Sequence, residues 1–452
     1  MSAKIILLDP LGRGRSFLGH RHFMRDWSGF VLPGSLPLVP LDQLYAAAYL
    51  RKYGYDVKVV EASIKHWTHR KVVKIIQEEL PDFVLIPSTY FGINDDKYLA
   101  RLIKDSVPSV KIIFSGPGVT FDPSIVLSEG YADFVALGDL ELPLLNIIKG
   151  NYVENIAYID NGKIIIKERK LLDLNELVVP ARDLIDNNAY RYAIFNRRNP
   201  ATAMTVSRGC PHSKCKFCHS PLYSLGVVRY RNINSIIEEI NEVVFKYKIG
   251  EIFFRDQAFT ANREFVYRIC EHLIANRIDI AWRCTTRADL VDKELLLLMQ
   301  KAGCYQISYG FESNSQISLD KINKAITIQQ SIQAARYSKE AGIEVVGLFI
   351  CGLPGDTKSS LSNLVGFAND LDVDYAQFDE FFFIPSTASY DEHYRDKSEY
   401  LSNFFIKKSA ILSYLKFYFT KKNLLRKLKR IKSIRDIYFL LKMAIDELLA
   451  HT

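Results

Sequence analysis

Three cysteines, Cys210, Cys215 and Cys218, lie within nine residues of one another in a stretch that also contains glycine and proline. Thiolates so close together on a loop can fold around one metal centre, and three thiolates on a four-iron cubane leave one iron open. The alternative is a zinc knuckle completed by His212 or His219, although the adjacent Cys218 and His219 side chains diverge, whereas tetrahedral zinc prefers spaced pairs. The residues alone favour an iron–sulfur cluster and leave zinc open.

The elements around these cysteines follow a strand–helix pattern from about residue 203 onwards. Helical stretches such as Ile233–Lys246 and Ile328–Ala341 separate six apolar runs. The six predicted strands are Ala203–Ser207, Glu251–Arg255, Asp279–Cys284, Tyr305–Tyr309, Glu344–Ile350 and Tyr375–Phe383. Six such units predict a partial (β/α)6 barrel over residues 201–385, with its chemistry at the carboxyl ends of the strands.

A second α/β region precedes this barrel. Residues 1–150 contain five strand-like runs, which are Lys4–Asp9, Asp56–Ala62, Phe83–Ser88, Lys111–Pro117 and Phe134–Asp139. The amphipathic stretches between them predict an N-terminal doubly wound parallel sheet of the Rossmann-like type, whose ligands sit beyond the strand ends. A hairpin turned by Asp160-Asn161-Gly162 and a polar connector fill residues 151–200. Residues 386–452 are predicted to form a basic helical C-terminal region.

Composition and charge narrow the class of protein. The 452 residues are 48% hydrophobic and 24% charged, which excludes disordered, collagen-like and small disulfide-scaffold proteins. Seven cysteines are an odd number, which argues against a disulfide framework, and Cys270, Cys284, Cys304 and Cys351 lie in apolar patterns typical of core positions. Without a long apolar run or a signal peptide, the chain is predicted to be cytoplasmic.

The basic charge is concentrated at one end. The net charge of the whole chain is +8, and residues 401–452 alone have a net charge of +9, so the other 400 residues have a net charge of −1. Because this larger part is nearly neutral, no nucleic-acid partner is expected. The stretch 421–430 mixes cationic and apolar residues at helical spacing. Such a helix is more often a solvated face over a buried stripe, but it can also contact an anionic membrane peripherally or bind a polyanion.

The cysteine stretch resembles the cluster motif of the radical SAM superfamily, C-x3-C-x2-C with an aromatic residue before the last cysteine. This chain has an aromatic residue there and C-x4-C-x2-C spacing, one residue longer. Ile252–Thr260, Tyr309-Gly310-Phe311-Glu312-Ser313 and Gly347–Thr357 resemble later motifs in the family's order. The resemblance implies a [4Fe-4S] cluster on the three cysteines and contacts to S-adenosylmethionine (SAM) from Phe217, Asp256, Gln257, Arg287, Glu312, Gly352 and Pro354.

The same resemblance assigns roles to several of these side chains. Asp256 would bind the methionyl ammonium, with Gln257 standing where the family has a second acid. Glu312 would accept hydrogen bonds from the ribose hydroxyls, and Arg287 would face the barrel mouth. The glycines around Gly352 would let the backbone approach the adenine.

Residues 1–150 resemble the cobalamin-binding domain that precedes the barrel in one subclass of this superfamily. The likeness rests on Pro37–Leu41, Ser115–Val119, Ala132–Glu141 and the connector Pro180–Leu184. It implies that the corrinoid lies between the domains and contacts Pro10, Leu11, Ser88, Thr89, Tyr90, Gly116, Pro117, Gly118, Gly138, Asp139 and Glu141. No D-x-H-x-x-G motif occurs, so no histidine ligand to cobalt is expected, and His20, His22, His66 and His69 are predicted to be surface or loop residues.

The resemblance implies a cobalamin-dependent radical SAM enzyme, most simply a methyltransferase acting on an unactivated carbon of a lipid or natural-product-type substrate. In such enzymes a 5′-deoxyadenosyl radical abstracts a substrate hydrogen and methylcobalamin supplies the methyl group. An electron donor such as flavodoxin or ferredoxin is implied as a partner. One alternative keeps both cofactors but performs a non-methylating rearrangement, cyclisation or oxidation. Another, from a different class, is a zinc-containing polyanion-binding protein.

Overall fold

The computed structural model describes residues 3–9, 38–65, 67–90, 92–191, 196–382, 387, 389, 401–420 and 423. Their contacts form two compact units, of which the first holds the described residues up to Tyr190 together with Tyr230–Val243, and the second holds the rest. The first unit thus contains the hairpin, most of the connector and a segment of the predicted barrel region. The domain boundaries stay a prediction, and Pro10, Leu11 and most of the basic tail lie outside the described residues.

The first unit is built on one seven-stranded sheet in the order β2-β1-β3-β4-β5-β6-β7. Its strands are β1 (Lys4–Asp9), β2 (Asp56–Glu61), β3 (Phe83–Pro87), β4 (Lys111–Ser115), β5 (Phe134–Ala136), β6 (Ile156–Asp160) and β7 (Lys163–Ile166). The first five run parallel, and the β6–β7 hairpin continues the sheet antiparallel. The order 2-1-3-4-5 is one of the doubly wound arrangements, in which ligands bind beyond the strand ends at the β1/β3 switch point. The predicted Rossmann-like sheet is confirmed.

Helices cover this sheet, which explains its almost uninterrupted apolar strands. They are α1 (Leu41–Lys52), α2 (His69–Glu79), α3 (Ile93–Ser106), α4 (Pro117–Thr120), α5 (Ser124–Leu127) and α6 (Glu141–Ile148). Ile6, Ile86 and Phe114 are among the fully buried core residues. His69 is also buried, with Nε2 3.2 Å from Asp95 Oδ2. Its prediction as a surface or loop residue was wrong because α2 begins there and packs that side chain inwards.

The second unit contains a six-stranded parallel sheet in the order β15-β14-β13-β12-β11-β8. The strands of this part of the chain are β8 (Ala201–Met204), β9 (Ser207–Arg208), β10 (Arg229–Tyr230), β11 (Glu251–Phe254), β12 (Ala281–Thr286), β13 (Cys304–Glu312), β14 (Glu344–Cys351) and β15 (Tyr375–Glu380). In the described residues β8 and β15 are unpaired edges of this sheet, so it is an open, partial barrel, as predicted.

The helices after residue 200 are α7 (Ser220–Tyr223), α8 (Ile233–Asn241), α9 (Arg263–Ala275), α10 (Lys293–Lys301), α11 (Gln316–Lys321), α12 (Ile328–Glu340), α13 (Lys358–Asp370) and α14 (Asn403–Tyr418). Of these, α8 belongs to the first unit. Its Glu239 is fully buried and pairs with Arg182 at 2.7 Å and Arg231 at 2.5 Å. Arg182 lies in the connector, so this ion pair joins α8 to the rest of the first unit. Breaking it would leave an uncompensated buried charge.

Candidate functional site

The loop that carries the cysteines is positioned by two side chains that follow β11. Asp256 accepts hydrogen bonds from Val206 N at 3.2 Å, from Ser207 N at 2.5 Å and from Ser207 Oγ at 2.6 Å. Gln257 Oε1 accepts one from Gly209 N at 2.8 Å. These bonds draw the chain out of the sheet after Met204, which is why the first barrel strand ends earlier than the sequence predicts.

Asp256 is completely buried, and burial raises its pKa to about 6 despite the bonds from Ser207 and Val206. Both of its carboxylate oxygens are already used by protein donors. These bonds give it a positioning role towards the cysteine loop (residues 208–219) that the sequence did not predict. Its direct contact with the ammonium group of SAM stays a prediction, as does the contact of Gln257.

The extra residue of the C-x4-C-x2-C spacing is accommodated by Ser213. Its φ of 43° lies in the left-handed region, and its Oγ donates a hydrogen bond to the carbonyl of Cys210. Cys218 N then donates to Cys215 O at 3.2 Å, which closes a tight turn. A turn within the loop therefore takes up the inserted residue.

The three thiols share one environment and act on each other electrostatically. Burial raises the pKa of Cys215, and it raises the pKa of Cys218 to about 12. The three cysteines are half-buried, and a bound metal centre would compensate the charge of their thiolates, which low-dielectric surroundings otherwise disfavour. Among the described residues, no group of three or more His, Cys, Asp or Glu side chains is placed to hold a single metal ion.

This donor set fits an iron–sulfur cubane better than zinc. In a cubane each cysteine binds a different iron, so the sulfurs do not have to converge on one point. His212, one proposed zinc ligand, has Nε2 2.6 Å from the carbonyl oxygen of Asn323. The three cysteines would hold the cluster, which would supply the electron that reduces a bound ligand. Beside them, Phe217 packs against Leu319, Ile322, Leu353 and Phe381.

Beside the cysteine loop lies a buried ion pair between Glu312 and Lys324. Lys324 Nζ is 2.6 Å from Glu312 Oε1, and both side chains are only 9% exposed. Glu312 has a φ of 63° at a register irregularity between β13 and β14. Backbone strain of this kind costs about 1–3 kcal/mol and concentrates at functional sites. A Cβ at Gly310 would lie 3.0 Å from Lys324 Nζ and collide with Glu312, so this glycine makes room for the pair.

Lys324 was missed by the sequence analysis. It lies in a loop after α11 with no motif around it, and its partner is twelve residues earlier in the chain. Arg287, predicted to face the barrel mouth, forms a two-bond ion pair with Asp289 at 2.9 Å and donates to the carbonyl of Lys324 at 3.1 Å. Arg287 therefore fixes the backbone that carries Lys324, and its contact with SAM stays a prediction.

The last predicted SAM segment follows β14. Asp356, which stands where the family has glutamate, accepts hydrogen bonds from Gly352 N and Leu353 N, both at 3.0 Å, and from Ser318 Oγ at 2.7 Å. A Cβ at Gly352 would lie 2.5 Å from Ile406 in α14. The absence of a side chain at Gly352 thus makes room for α14. The sequence analysis had expected it to let the backbone approach the adenine of SAM. The contacts of Gly352 and Pro354 with SAM stay predictions.

The predicted corrinoid residues of the first unit gather at the carboxyl edge of its sheet. Ser88 N donates to Ser115 O at 2.8 Å, and Ser88 Oγ donates to the buried Asp96 at 2.8 Å. A Cβ would lie 2.5 Å from Ser88 O at Gly116 and 2.7 Å from the Thr89 carbonyl carbon at Gly118. These glycines let two loops pass each other. This close approach of backbone accounts for a glycine at both positions, and the contacts of Gly116 and Gly118 with the corrinoid stay predictions.

The remaining corrinoid candidates have mixed surroundings. Tyr90 is half-buried, and burial raises its pKa. Gly138 has a φ of 83° and open space where a Cβ would point, whereas Glu141, in the first turn of α6, is fully buried. Gly138 is thus a better contact candidate than Gly116. The corrinoid contacts of these residues and of Pro117 and Asp139 stay predictions, and Pro10 and Leu11 lie outside the described residues.

Two protein families match the two α/β regions. Residues 35–148 match the B12 binding domain, and residues 204–368 match the Radical SAM superfamily. The uncharacterized methyltransferase PH0819 of Pyrococcus horikoshii is 31% identical over 349 residues, a match that covers 75% of each chain. The chain belongs to the cobalamin-binding radical SAM enzymes. The cofactors of these domains are a [4Fe-4S] cluster, SAM and cobalamin, which favours the iron–sulfur interpretation over the zinc alternative.

Two further proteins resemble this radical SAM enzyme. The anaerobic magnesium-protoporphyrin IX monomethyl ester cyclase of Cereibacter sphaeroides is 29% identical over 394 residues, which cover 82% of this chain and 62% of the cyclase. The cobalamin-dependent SAM radical enzyme OxsB matches 100% of this chain and 72% of its own at a TM-score of 0.75 and 15% identity. At that identity the likeness concerns the fold alone. Within the described residues, no helix combines the length and the apolar character needed to cross a bilayer.

Proposed function

We propose that this radical SAM enzyme is a cobalamin-dependent methyltransferase that alkylates an unactivated carbon. The observation that carries the proposal is that one chain has both a three-cysteine loop at the strand ends of a partial barrel and a doubly wound sheet of the B12-binding family. The 31% identical relative is described as a methyltransferase, which supports the same reaction class.

The chain's own residues would divide the work as follows. Cys210, Cys215 and Cys218 bind the cluster, and Asp256 holds the start of their loop. Glu312, kept in place by Lys324, presents a buried carboxylate as a hydrogen-bond acceptor for SAM. The loop edge at Gly138, with open space where a Cβ would point, would lie against a corrinoid. When bound, the corrinoid supplies the methyl carrier that a carbon centre without an activating group requires.

A second candidate keeps the cofactors but transfers no methyl group. Its support is the 29% identity to a cyclase, although the chain spans only 62% of that protein. Incubating the reduced enzyme with SAM carrying a deuterated methyl group and with cell extract separates the two candidates. A methyltransferase transfers the deuterated methyl group to a small molecule or a lipid. A cyclase converts a substrate into a product of different mass that contains no deuterium. Either reaction needs a low-potential electron donor, for which we propose flavodoxin or ferredoxin.

We also propose that the C-terminal part contacts an anionic lipid membrane, which would bring a lipid substrate within reach. In α14, Ile406, Ala410 and Phe417 are buried on one side. The opposite α14 face (Phe404, Leu412, Leu415 and Phe419) leaves 77% of Phe404 and 70% of Phe419 exposed. Exposed lysines at 408 and 416 lie on or beside it, and residues 401–452 carry +9. Apolar side chains flanked by cations are typical of helices that bind anionic interfaces.

The membrane proposal predicts co-sedimentation with vesicles that contain phosphatidylserine, and weaker binding at high salt. Replacing Phe404 and Phe419 by serine should reduce vesicle binding at least about tenfold, because two apolar side chains lose their burial in lipid. A matched control replaces Val153 and Ile166, which are 58% and 59% exposed in the first unit, and should bind as the wild type does. Equal binding of the α14 variant and the wild type, or no binding by either, would contradict the proposal.

A further inference from the structure

The segment of residues 322–325 holds the cysteine loop from one side. Ile322 O accepts a hydrogen bond from Lys216 N at 3.0 Å, and Asn323 Nδ2 donates to Lys214 O at 3.1 Å. These bonds fasten the two residues on either side of Cys215 to the two residues immediately before Lys324. The brace segment (residues 322–325) thereby places Lys324 next to the cysteine in the middle of the loop.

The backbone of the brace segment is strained into this position. Asn323 and Ala325 have φ values of 52° and 51°. Asparagine tolerates the left-handed region, but for alanine it costs about 1–2 kcal/mol. Arg287, which directly follows β12, donates a hydrogen bond to the carbonyl of Lys324 at 3.1 Å and so also holds the strained turn in place. A strained turn that carries a buried cation indicates a function for that cation.

The charge of Lys324 acts on Cys215 as well as on Glu312. Lys324 lies close enough to Cys215 to interact with it electrostatically. Its ion pair with Glu312 at 2.6 Å keeps the buried amine in its charged form. The lysine is therefore a positive charge on the side of the loop where Cys215 lies.

We propose that Lys324 raises the reduction potential of the [4Fe-4S] cluster, and that Glu312 partly offsets this effect. The inference rests on the cluster assigned to the three cysteines. Reduction adds one electron from a low-potential one-electron donor, with no bond or proton transferred, so the cluster becomes more negative by one charge. A nearby cation stabilises the more negative state, and net charge around the cluster is one of the factors that set such potentials.

Opposite shifts in two variants test this inference. Each reconstituted protein is titrated with dithionite without SAM, and the reduced cluster is followed by electron paramagnetic resonance. In Lys324→Met the ratio of reduced to oxidised cluster at a fixed potential should fall about tenfold, a shift of about −59 mV for a one-electron couple. Glu312→Gln should shift the potential in the positive direction, and Lys324→Arg should stay close to the wild type.

The comparison of variants separates charge from structural damage. A purely structural role would shift Lys324→Met and Glu312→Gln in the same direction, or shift neither, and either outcome would overturn the proposal. The double variant Lys324→Met with Glu312→Gln should return towards the wild-type potential. Iron content is measured for the wild type and for every variant. A wild type that assembles no cluster counts against the cysteine assignment. Variants with full iron content but unchanged reduction potentials count against the role of Lys324 alone.

Discussion

Replacing Cys210, Cys215 and Cys218 together by alanine will remove the iron from the reconstituted protein and abolish the cleavage of SAM. The wild type should hold about four irons per chain. The variant should hold none, because its proposed ligands are gone and no group of three or more His, Cys, Asp or Glu side chains in the described residues is placed to hold a metal ion instead. The measurements are iron and sulfide analysis and the formation of 5′-deoxyadenosine under reducing conditions.

A matched control for this experiment replaces the buried Cys270, Cys284 and Cys351. Serine would introduce a polar group into these apolar surroundings, so alanine is the appropriate replacement. The control can lose stability because small cavities form, but it should keep its iron. If the first variant retains the brown chromophore and its iron, the three cysteines are not the ligands.

Glu312→Gln should weaken the binding of SAM by about ten- to hundredfold while the iron content stays unchanged. The physical reason is the loss of a charge-assisted hydrogen bond to the bound ligand, which is worth about 1.5–3 kcal/mol. Glutamine keeps the size of the side chain, so Gly310 still has room beside it and the loop is not displaced. Equilibrium binding of SAM to the oxidised, reconstituted protein measures the effect.

The control for this variant is Glu340→Gln on α12. Glu340 is 41% exposed and pairs with Lys293 at the surface, so its replacement should change neither SAM binding nor iron content. Unchanged SAM affinity in Glu312→Gln, with the cluster intact, would contradict the assignment of this carboxylate to the SAM site.

The architecture could be predicted from the sequence because parallel strands buried on both faces appear as apolar runs between amphipathic helices. The sheet of the first unit and the open barrel both follow from that alternation. The ends of strands were predicted less well. Met204 ends β8 because Asp256, about fifty residues later, binds Val206 and Ser207, and no local pattern contains that pairing.

The candidate site was predicted where motifs mark it and missed where only the fold brings residues together. The cysteines, Glu312 and Gly310 lie in short stretches whose residue types follow from their chemistry. Lys324 has no such signal, since a lysine is ordinarily exposed and only the packing against Glu312 and the cysteine loop buries it. The close approach of Gly116 and Gly118 to the backbone of Ser88 and Thr89 is likewise produced by the fold, because the two pairs of residues are far apart in the sequence.

Transfer of the SAM methyl group to a bound corrinoid tests the central claim most directly, because it requires no knowledge of the substrate. The full chain, reconstituted with iron, sulfide and hydroxocobalamin and then desalted, is reduced in the presence of SAM labelled with ¹³C in its methyl group. We expect corrinoid to remain bound after desalting and to carry the label by mass spectrometry, with 5′-deoxyadenosine formed in the same mixture. Protein that assembles its cluster and cleaves SAM but retains no corrinoid, or retains it without label, would contradict a cobalamin-dependent methyltransferase.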